Sequence, residues 1–75
     1  MQCRKTVFEE EYNYMLEAGD VKRLVVAIKL PTGATELIIN TEQISSKVQY
    51  YLSAYDEELR LKNNPNISIV SYMFA

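Results

Sequence analysis

The stretch VKRLVVAIKL, residues 21–30, decides the class of fold, because its apolar side chains alternate with period two. One face of this segment, drawn as an extended chain, carries the larger apolar side chains Leu24, Val26, Ile28 and Leu30. The other face mixes Val25 and Ala27 with basic residues. Alternation of this kind, rich in β-branched residues, is typical of a strand that buries one face.

A tight turn follows at residues 31–33, Pro-Thr-Gly, since proline presets φ for the first turn position and glycine accepts the positive φ of a short hairpin. The partner strand is ATELII, residues 34–39, in which Leu37 and Ile39 share a face and Ile38 points the other way. These two strands and the turn predict a β-hairpin.

Residues 42–62 are predicted to form one long helix that Asn40 and Thr41 cap. Its apolar side chains recur at helical spacing and define one stripe: Ile44, Val48, Tyr51, Leu52, Tyr55 and Leu59. Asparagines and a proline at residues 63–66 end the helix, because proline cannot continue it. The tail ISIVSYMF, residues 67–74, predicts a last strand with two apolar faces.

Residues 6–17 fit two structures. Phe8 and Tyr12 share a face in both, joined by Met15 in a helix and by Tyr14 in a strand. The tight Gly-Asp connection that follows favours the strand. The expected order is then β-β-β-α-β, with the last strand parallel to the first and beside it.

We therefore expect a single α+β domain over residues 1–75, a four-stranded sheet with one long helix packed on one face. The second face of the sheet is left open and is expected to carry Val25, Ala27 and Ile38, together with one side of the last strand. Because a chain of this size has a small core, a homodimer joined through these three residues is an expected way to complete it.

The composition excludes several chemistries. The 75 residues include 8 basic and 10 acidic side chains, a net charge of −2, no histidine and one cysteine, Cys3. A serine or cysteine nucleophile has no histidine base, one thiol cannot build a zinc site, and two isolated glycines form no phosphate-binding loop. We expect no enzymatic activity, no catalytic residue, no cofactor and no bound metal.

Tyr50 falls outside the apolar stripe of the predicted helix. On the helical wheel it lies near Ala54 and Leu61, and the carboxylates of Glu57 and Glu58 flank it. A small apolar strip with a charged rim is typical of a helix that binds another protein. The predicted function is a non-enzymatic protein-binding module that meets its partner through these five residues.

Two other functions stay open, and both are binding functions. One is self-assembly as a structural or accessory homodimer through the open sheet face. The other is nucleic-acid binding, which the net negative charge disfavours, through the basic side chains Arg4, Lys5, Lys22, Arg23 and Lys29.

The sequence also predicts a location. The longest apolar run covers residues 24–28, far too short for a membrane helix, so no membrane partner is expected. The first residues lack the apolar segment of a signal peptide, and a lone cysteine suits a reducing compartment. The cytoplasm is therefore the expected location.

Two segments resemble the small, single-domain cytoplasmic proteins that bacteriophages and prophages of Gram-positive hosts encode. They are AIKLPTGATELIINT, residues 27–41, and SKVQYYLSAYDEELRLKNNP, residues 46–65. Many such proteins bind a host macromolecule. The resemblance implies an inhibitor or modulator of a host protein that acts in the host cytoplasm.

Overall fold

The structure is a computed structural model that describes residues 2–75, and it places four antiparallel strands in one sheet with both helices on the same face. The elements in chain order are α1 (Arg4–Ala18), β1 (Leu24–Lys29), β2 (Thr35–Asn40), α2 (Ile44–Ala54), β3 (Arg60–Leu61) and β4 (Asn64–Phe74). The strands lie in the order β2-β1-β4-β3. The α+β class and the four-stranded sheet are confirmed, whereas the order is α-β-β-α-β-β, with two helices in place of one.

The central hairpin forms as predicted. β1 pairs with β2 along its whole length, with Val26 opposite Ile38. The turn is closed by hydrogen bonds from the Leu30 amide to the Ala34 carbonyl and from the Gly33 amide to the Leu30 carbonyl. Gly33 has a φ of 91°, in the region that glycine enters at no steric cost.

We expect Gly33→Ala to lower the free energy of unfolding by about 1–2 kcal/mol, because an L-residue in this region brings its Cβ close to the backbone. No neighbouring atom lies within 4 Å of the added Cβ, so the cost is purely conformational. Gly19→Ala is the matched control, since its Cβ also meets open space while its φ of 164° is extended. Urea unfolding of the two variants should differ; equal midpoints would mean that residue 33 does not need positive φ.

The first segment is helix α1, and the predicted strand there is wrong. Phe8 and Tyr12, one helical turn apart, are buried against the sheet, and both rings pack on Phe74. Tyr14, which a strand would place beside them, is 70% exposed. The helical conformation is favoured because it places both aromatic rings against one site on the sheet. A strand would place the two rings further apart along its length.

Helix α2 is shorter than predicted at both ends. Asn40, expected as a cap, belongs to β2, where its side-chain amide donates to the Leu24 carbonyl at 3.2 Å. Gln43 occupies the N-cap position with a φ of 52°. The helix ends at Ala54, and Tyr55 is already extended.

The early end of α2 follows from the side chain of Asp56. One carboxylate oxygen accepts hydrogen bonds from the amides of Glu58 and Arg60, each at 2.9 Å. Such local bonds offer the backbone an alternative to the helix. The Ile69 amide then donates to the Leu59 carbonyl at 2.8 Å, and the residues that follow pair with β4 as strand β3. Residues 55–62, predicted as helix, thus form a turn and a strand.

The same hydrogen bonds predict a pH dependence. Hydrogen bonds from the Arg60 and Glu58 amides, with the Arg60 guanidinium, hold the pKa of Asp56 below its ordinary value of 3.8. A carboxyl whose pKa is lowered by folding contributes stability above the unfolded pKa, and this contribution is lost as the pH falls through the folded pKa. The stability difference between the wild type and Asp56→Ala should therefore be largest near neutral pH and shrink below about pH 4.

Urea unfolding at a series of pH values measures this difference. Glu57→Ala, a change at the adjacent carboxylate, is the control. A difference for Asp56→Ala that stays constant across acidic pH would show that the charge of Asp56 does not stabilise the fold.

Strand β4 lies inside the sheet, between β1 and β3, and runs antiparallel to both. The predicted parallel pairing with the first segment is wrong because that segment is a helix. The β1–β4 register shifts between Ala27 and Ile28, which marks a bulge next to Val70. The alternation of the last strand predicts Ile69 and Met73 on one face, and this is wrong because the bulge sets them on opposite faces. Ile69 is fully buried on the core side, and Met73 is 53% exposed on the other.

The core lies between the sheet and the two helices. Its fully buried side chains of largest volume come from every layer: Phe8, Leu24, Leu59, Ile69, Val26 and Val48. All of them lie on the helix-facing side of the sheet or on the helices, so the other side of the sheet has no covering layer.

Candidate functional site

The side of the sheet that faces away from both helices, here called the outer sheet face, is defined by strand register. Val25 lies opposite Ile39 and Met73, and Ala27 lies opposite Leu37 and Ser71. Directly paired residues in an antiparallel sheet share a face. The outer sheet face therefore comprises Arg23, Val25, Ala27, Lys29, Thr35, Leu37, Ile39, Arg60, Ser68, Ser71 and Met73.

The centre of the outer sheet face is aliphatic and exposed. Leu37 is 65% exposed, Ile39 62% and Met73 53%. Val25 is half-buried between them, and Ala27 is buried because the longer Leu37 side chain lies beside it. Adjoining apolar side chains of this size on one flat surface are a feature of binding sites, whereas isolated ones are ordinary.

The same register corrects one residue of the predicted open face. Val25 and Ala27 lie on it, as expected, but Ile38 lies opposite Val26 and packs against the core. Leu37 and Ile39 lie on the outer sheet face, where Ile38 was predicted. The sequence contained the information for the correct assignment, because a hairpin in which Leu30 bonds to Ala34 sets Ile38 opposite Val26. The role of the face in dimerisation stays a prediction.

The charged groups on the outer sheet face are all basic. Arg23 continues the ladder beyond β1 through paired backbone hydrogen bonds with Ala75, and Lys29 ends β1 at the other side. Both are exposed. Arg60, on β3, forms an ion pair with Asp56 at 3.3 Å, the one ion pair within residues 2–75. The face therefore has an aliphatic centre with an unpaired cation at each end of its central strand.

The partner-binding surface predicted on the helix is divided between three elements. Tyr50 lies on α2 and is 55% exposed, and Ala54 is the last residue of α2. Leu61 lies on β3 and packs partly against the core, so it is not on a helix. Glu57 and Glu58 lie exposed in the turn before β3. The common helical face is wrong, because α2 ends before three of these residues; their partner-binding role stays a prediction.

A shallow groove lies beside Tyr50. Its volume is about 360 Å³, and its lining includes Ile38, Asn40 and Lys47. The Tyr50 ring packs edge-on against Tyr51, with centroids 5.3 Å apart. Burial raises the pKa of Tyr51, so its phenol is neutral and can only exchange hydrogen bonds at physiological pH. The groove offers shape and polarity but no charged acid–base pair.

The basic residues predicted to bind nucleic acid do not form one patch. The Lys5 ammonium donates to the Tyr55 carbonyl at 2.9 Å, and the Arg4 guanidinium donates to the carbonyls of Glu58 and Val70 at 3.4 Å each. These two side chains are engaged within the chain. Arg23 and Lys29 stand at opposite ends of β1, about 20 Å apart at ~3.3 Å per residue.

The titratable side chains of the described residues form no cluster suited to a metal ion. Across residues 2–75, no three His, Cys, Asp or Glu side chains lie close enough to hold a metal ion. Cys3 Sγ lies 3.1 Å from Thr6 Oγ1, and this hydrogen bond lowers the pKa of the thiol. The negative charge of Glu57 acts on the thiol in the opposite direction and raises its pKa.

None of the described helices has the length and the apolar composition that crossing a membrane requires. Comparison with protein-family models, with curated proteins and with solved structures finds no match for this chain. The function proposed for this chain is therefore inferred from the residues of the outer sheet face.

Proposed function

We propose that this protein is a non-enzymatic protein-binding module and that it binds its partner through the outer sheet face. The observation that carries the proposal is the exposure of Leu37 and Ile39 on β2 and of Met73 on β4, on the same face of the sheet and on either side of Val25. Full burial of one such side chain is worth about 1.5–3 kcal/mol. A partner that covers all three gains a hydrophobic contribution sufficient for specific recognition.

Support for a binding rather than a catalytic role comes from the side-chain chemistry. The sequence contains no histidine, and the hydrogen-bond partner of its one thiol is the Thr6 hydroxyl, which is not a base. A module of this kind acts on its partner by occupying a surface, so we propose inhibition or modulation of that partner. We propose the reducing cytoplasm as its location, because the chain holds a single cysteine.

A homodimer through the same face is the second candidate. It is favoured by the apolar centre around Val25, which is only half-buried. Val25→Glu would then dissociate the dimer, because a charge would enter an apolar contact. Sedimentation at micromolar concentration measures this, and a monomeric wild type would contradict the homodimer.

The proposed function is tested by capture of partners from a lysate of the cell that expresses the protein. The wild type is compared with Leu37→Thr/Ile39→Thr, which removes aliphatic surface while keeping β-branched residues suited to a strand. We expect the double variant to lose at least 90% of a specifically captured protein, an estimate of about tenfold or more from the removal of two contact residues.

Two further variants make the result specific. Tyr14→Ser alters an exposed side chain on α1, on the opposite layer, and should leave capture unchanged. Tyr50→Ser tests the α2 surface. Loss of capture with Tyr50→Ser alone would move the binding site to the groove beside α2 and contradict the proposal. Far-ultraviolet circular dichroism confirms that each variant is folded.

A further inference from the structure

We propose that the partner of the outer sheet face is a polypeptide segment that is apolar along its centre and acidic at its ends. This inference rests on the proposed function and adds the chemistry of the partner. The inference is based on the charges around the aliphatic centre, whereas the proposed function is based on the aliphatic centre itself.

The two layers of the chain differ in their carboxylates. The helices carry four, the exposed side chains of Glu9, Glu10, Glu11 and Glu17, together with three basic residues, Arg4, Lys5 and Lys47. The outer sheet face carries Arg23, Lys29 and Arg60 and no carboxylate of its own. The outer sheet face therefore includes no acidic residue, although the chain as a whole has a net charge of −2. Charges around an interface select partners of opposite sign and speed their association.

The position of these charges suits an extended or helical segment. Arg23 and Lys29 lie at the two ends of β1, and Val25 and Ala27 lie between them. Neither cation has a carboxylate within 4 Å among the described residues. A segment laid along β1 would set apolar side chains over the centre and a carboxylate beside each cation.

A second copy of the chain fits this face less well. In a symmetric face-to-face dimer whose sheets are aligned, the two β1 strands run either parallel or antiparallel. The parallel arrangement brings Arg23 towards Arg23 of the second copy, and the antiparallel arrangement brings it towards Lys29. Like charges meet in both, so the rim opposes an aligned dimer.

Nucleic acid and lipid surfaces fit less well for different reasons. Single-stranded nucleic acids are bound by stacking on aromatic rings, and the exposed apolar side chains here are Leu37, Ile39 and Met73. Peripheral binding to acidic membranes typically uses a cluster of about four or more basic residues. On this face the two free cations lie far apart.

The test is selection from a random-peptide library displayed on yeast, with the wild-type protein as bait. We expect the enriched peptides to combine aliphatic or aromatic residues with an excess of Asp and Glu. Synthetic versions should bind about tenfold more weakly to Arg23→Glu/Lys29→Glu, and more weakly at high salt. They should also lose binding to Leu37→Thr/Ile39→Thr and keep it for Tyr14→Ser.

The outcomes separate the inference from the proposed function. Enriched peptides that are neutral or basic, yet depend on Leu37 and Ile39, would overturn the inference and leave the binding face intact. Peptides that bind Leu37→Thr/Ile39→Thr as well as the wild type, or a library without binders, would contradict the proposed face itself. A dimer that sedimentation finds strengthened by salt would assign the face to a second copy. Binding to vesicles rich in phosphatidylserine would assign it to a membrane. Both results would overturn the inference.

Discussion

The Phe8→Ala variant is expected to lose about 3–5 kcal/mol of unfolding free energy through lost burial and a residual cavity. Phe8 is fully buried, and its ring lies 4.9 Å from that of Tyr72, 5.3 Å from Phe74 and 6.4 Å from Tyr51, measured between centroids. One side chain thus connects α1 with both α2 and β4. Domains have about 0.05–0.15 kcal/mol of stability per residue, so roughly 4–11 kcal/mol here. The expected loss is therefore a large share of the total stability of the fold.

Urea unfolding followed by circular dichroism measures the effect. Val7→Ala is the matched control, because the adjacent side chain is 41% exposed on the same helix. We expect the control to stay within about 1 kcal/mol of the wild type. A Phe8→Ala variant as stable as Val7→Ala would show that α1 does not dock on the sheet through this ring.

The second large effect is expected at Leu59, which is fully buried although its φ is 61°. Leu59→Ala should cost about 2–5 kcal/mol through the cavity that it leaves. Leu59→Gly removes the same contacts but suits this backbone conformation, which disfavours residues that carry a Cβ. We expect the glycine variant to be as stable as the alanine variant, or more stable.

The control is the same pair of substitutions at Val48, a fully buried residue inside α2. There, glycine should be about 1 kcal/mol less stable than alanine, as in other helix interiors. Urea midpoints for the four variants decide the matter. If glycine ranks below alanine at both positions, residue 59 does not have a left-handed conformation in solution.

The hairpin of β1 and β2 was predictable because its information is local. Period-two alternation in residues 21–30 and a turn with Gly33 at positive φ agree with each other, and the observed strands lie within the predicted segments to one residue. The turn also sets the register. The pairing of Leu30 with Ala34 therefore determines which face of β2 is buried, and it assigns Ile38 to the buried face.

The two helices show where local patterns were insufficient. Residues 4–18 have apolar side chains that suit a helix and a strand equally, and only the aromatic rings of Tyr72 and Phe74, far along the chain, select the helix. The spacing of Tyr55 and Leu59 suits a continued α2. Both are buried without it, because β4 provides a strand for the residues after Asp56 to pair with.

The candidate site divides in the same way. An open, partly apolar sheet face was foreseen, and Val25 and Ala27 lie on it. One side of the last strand was expected there too, but Met73 and Arg60 were not named, because their positions depend on the antiparallel pairing of β4 with β1 and β3. No pattern within residues 67–74 states which strand they will join.

Amino-acid order alone was enough for the α+β class, the β1–β2 hairpin and its turn. These depend on interactions between residues a few positions apart, which periodicity and turn residues record. The identity of α1, the end of α2, the central place of β4 and the set of side chains on the outer sheet face were decided by tertiary structure. Each arises from contacts between distant segments, where hydrophobic burial and strand pairing outweigh local preferences of about 1 kcal/mol or less per residue.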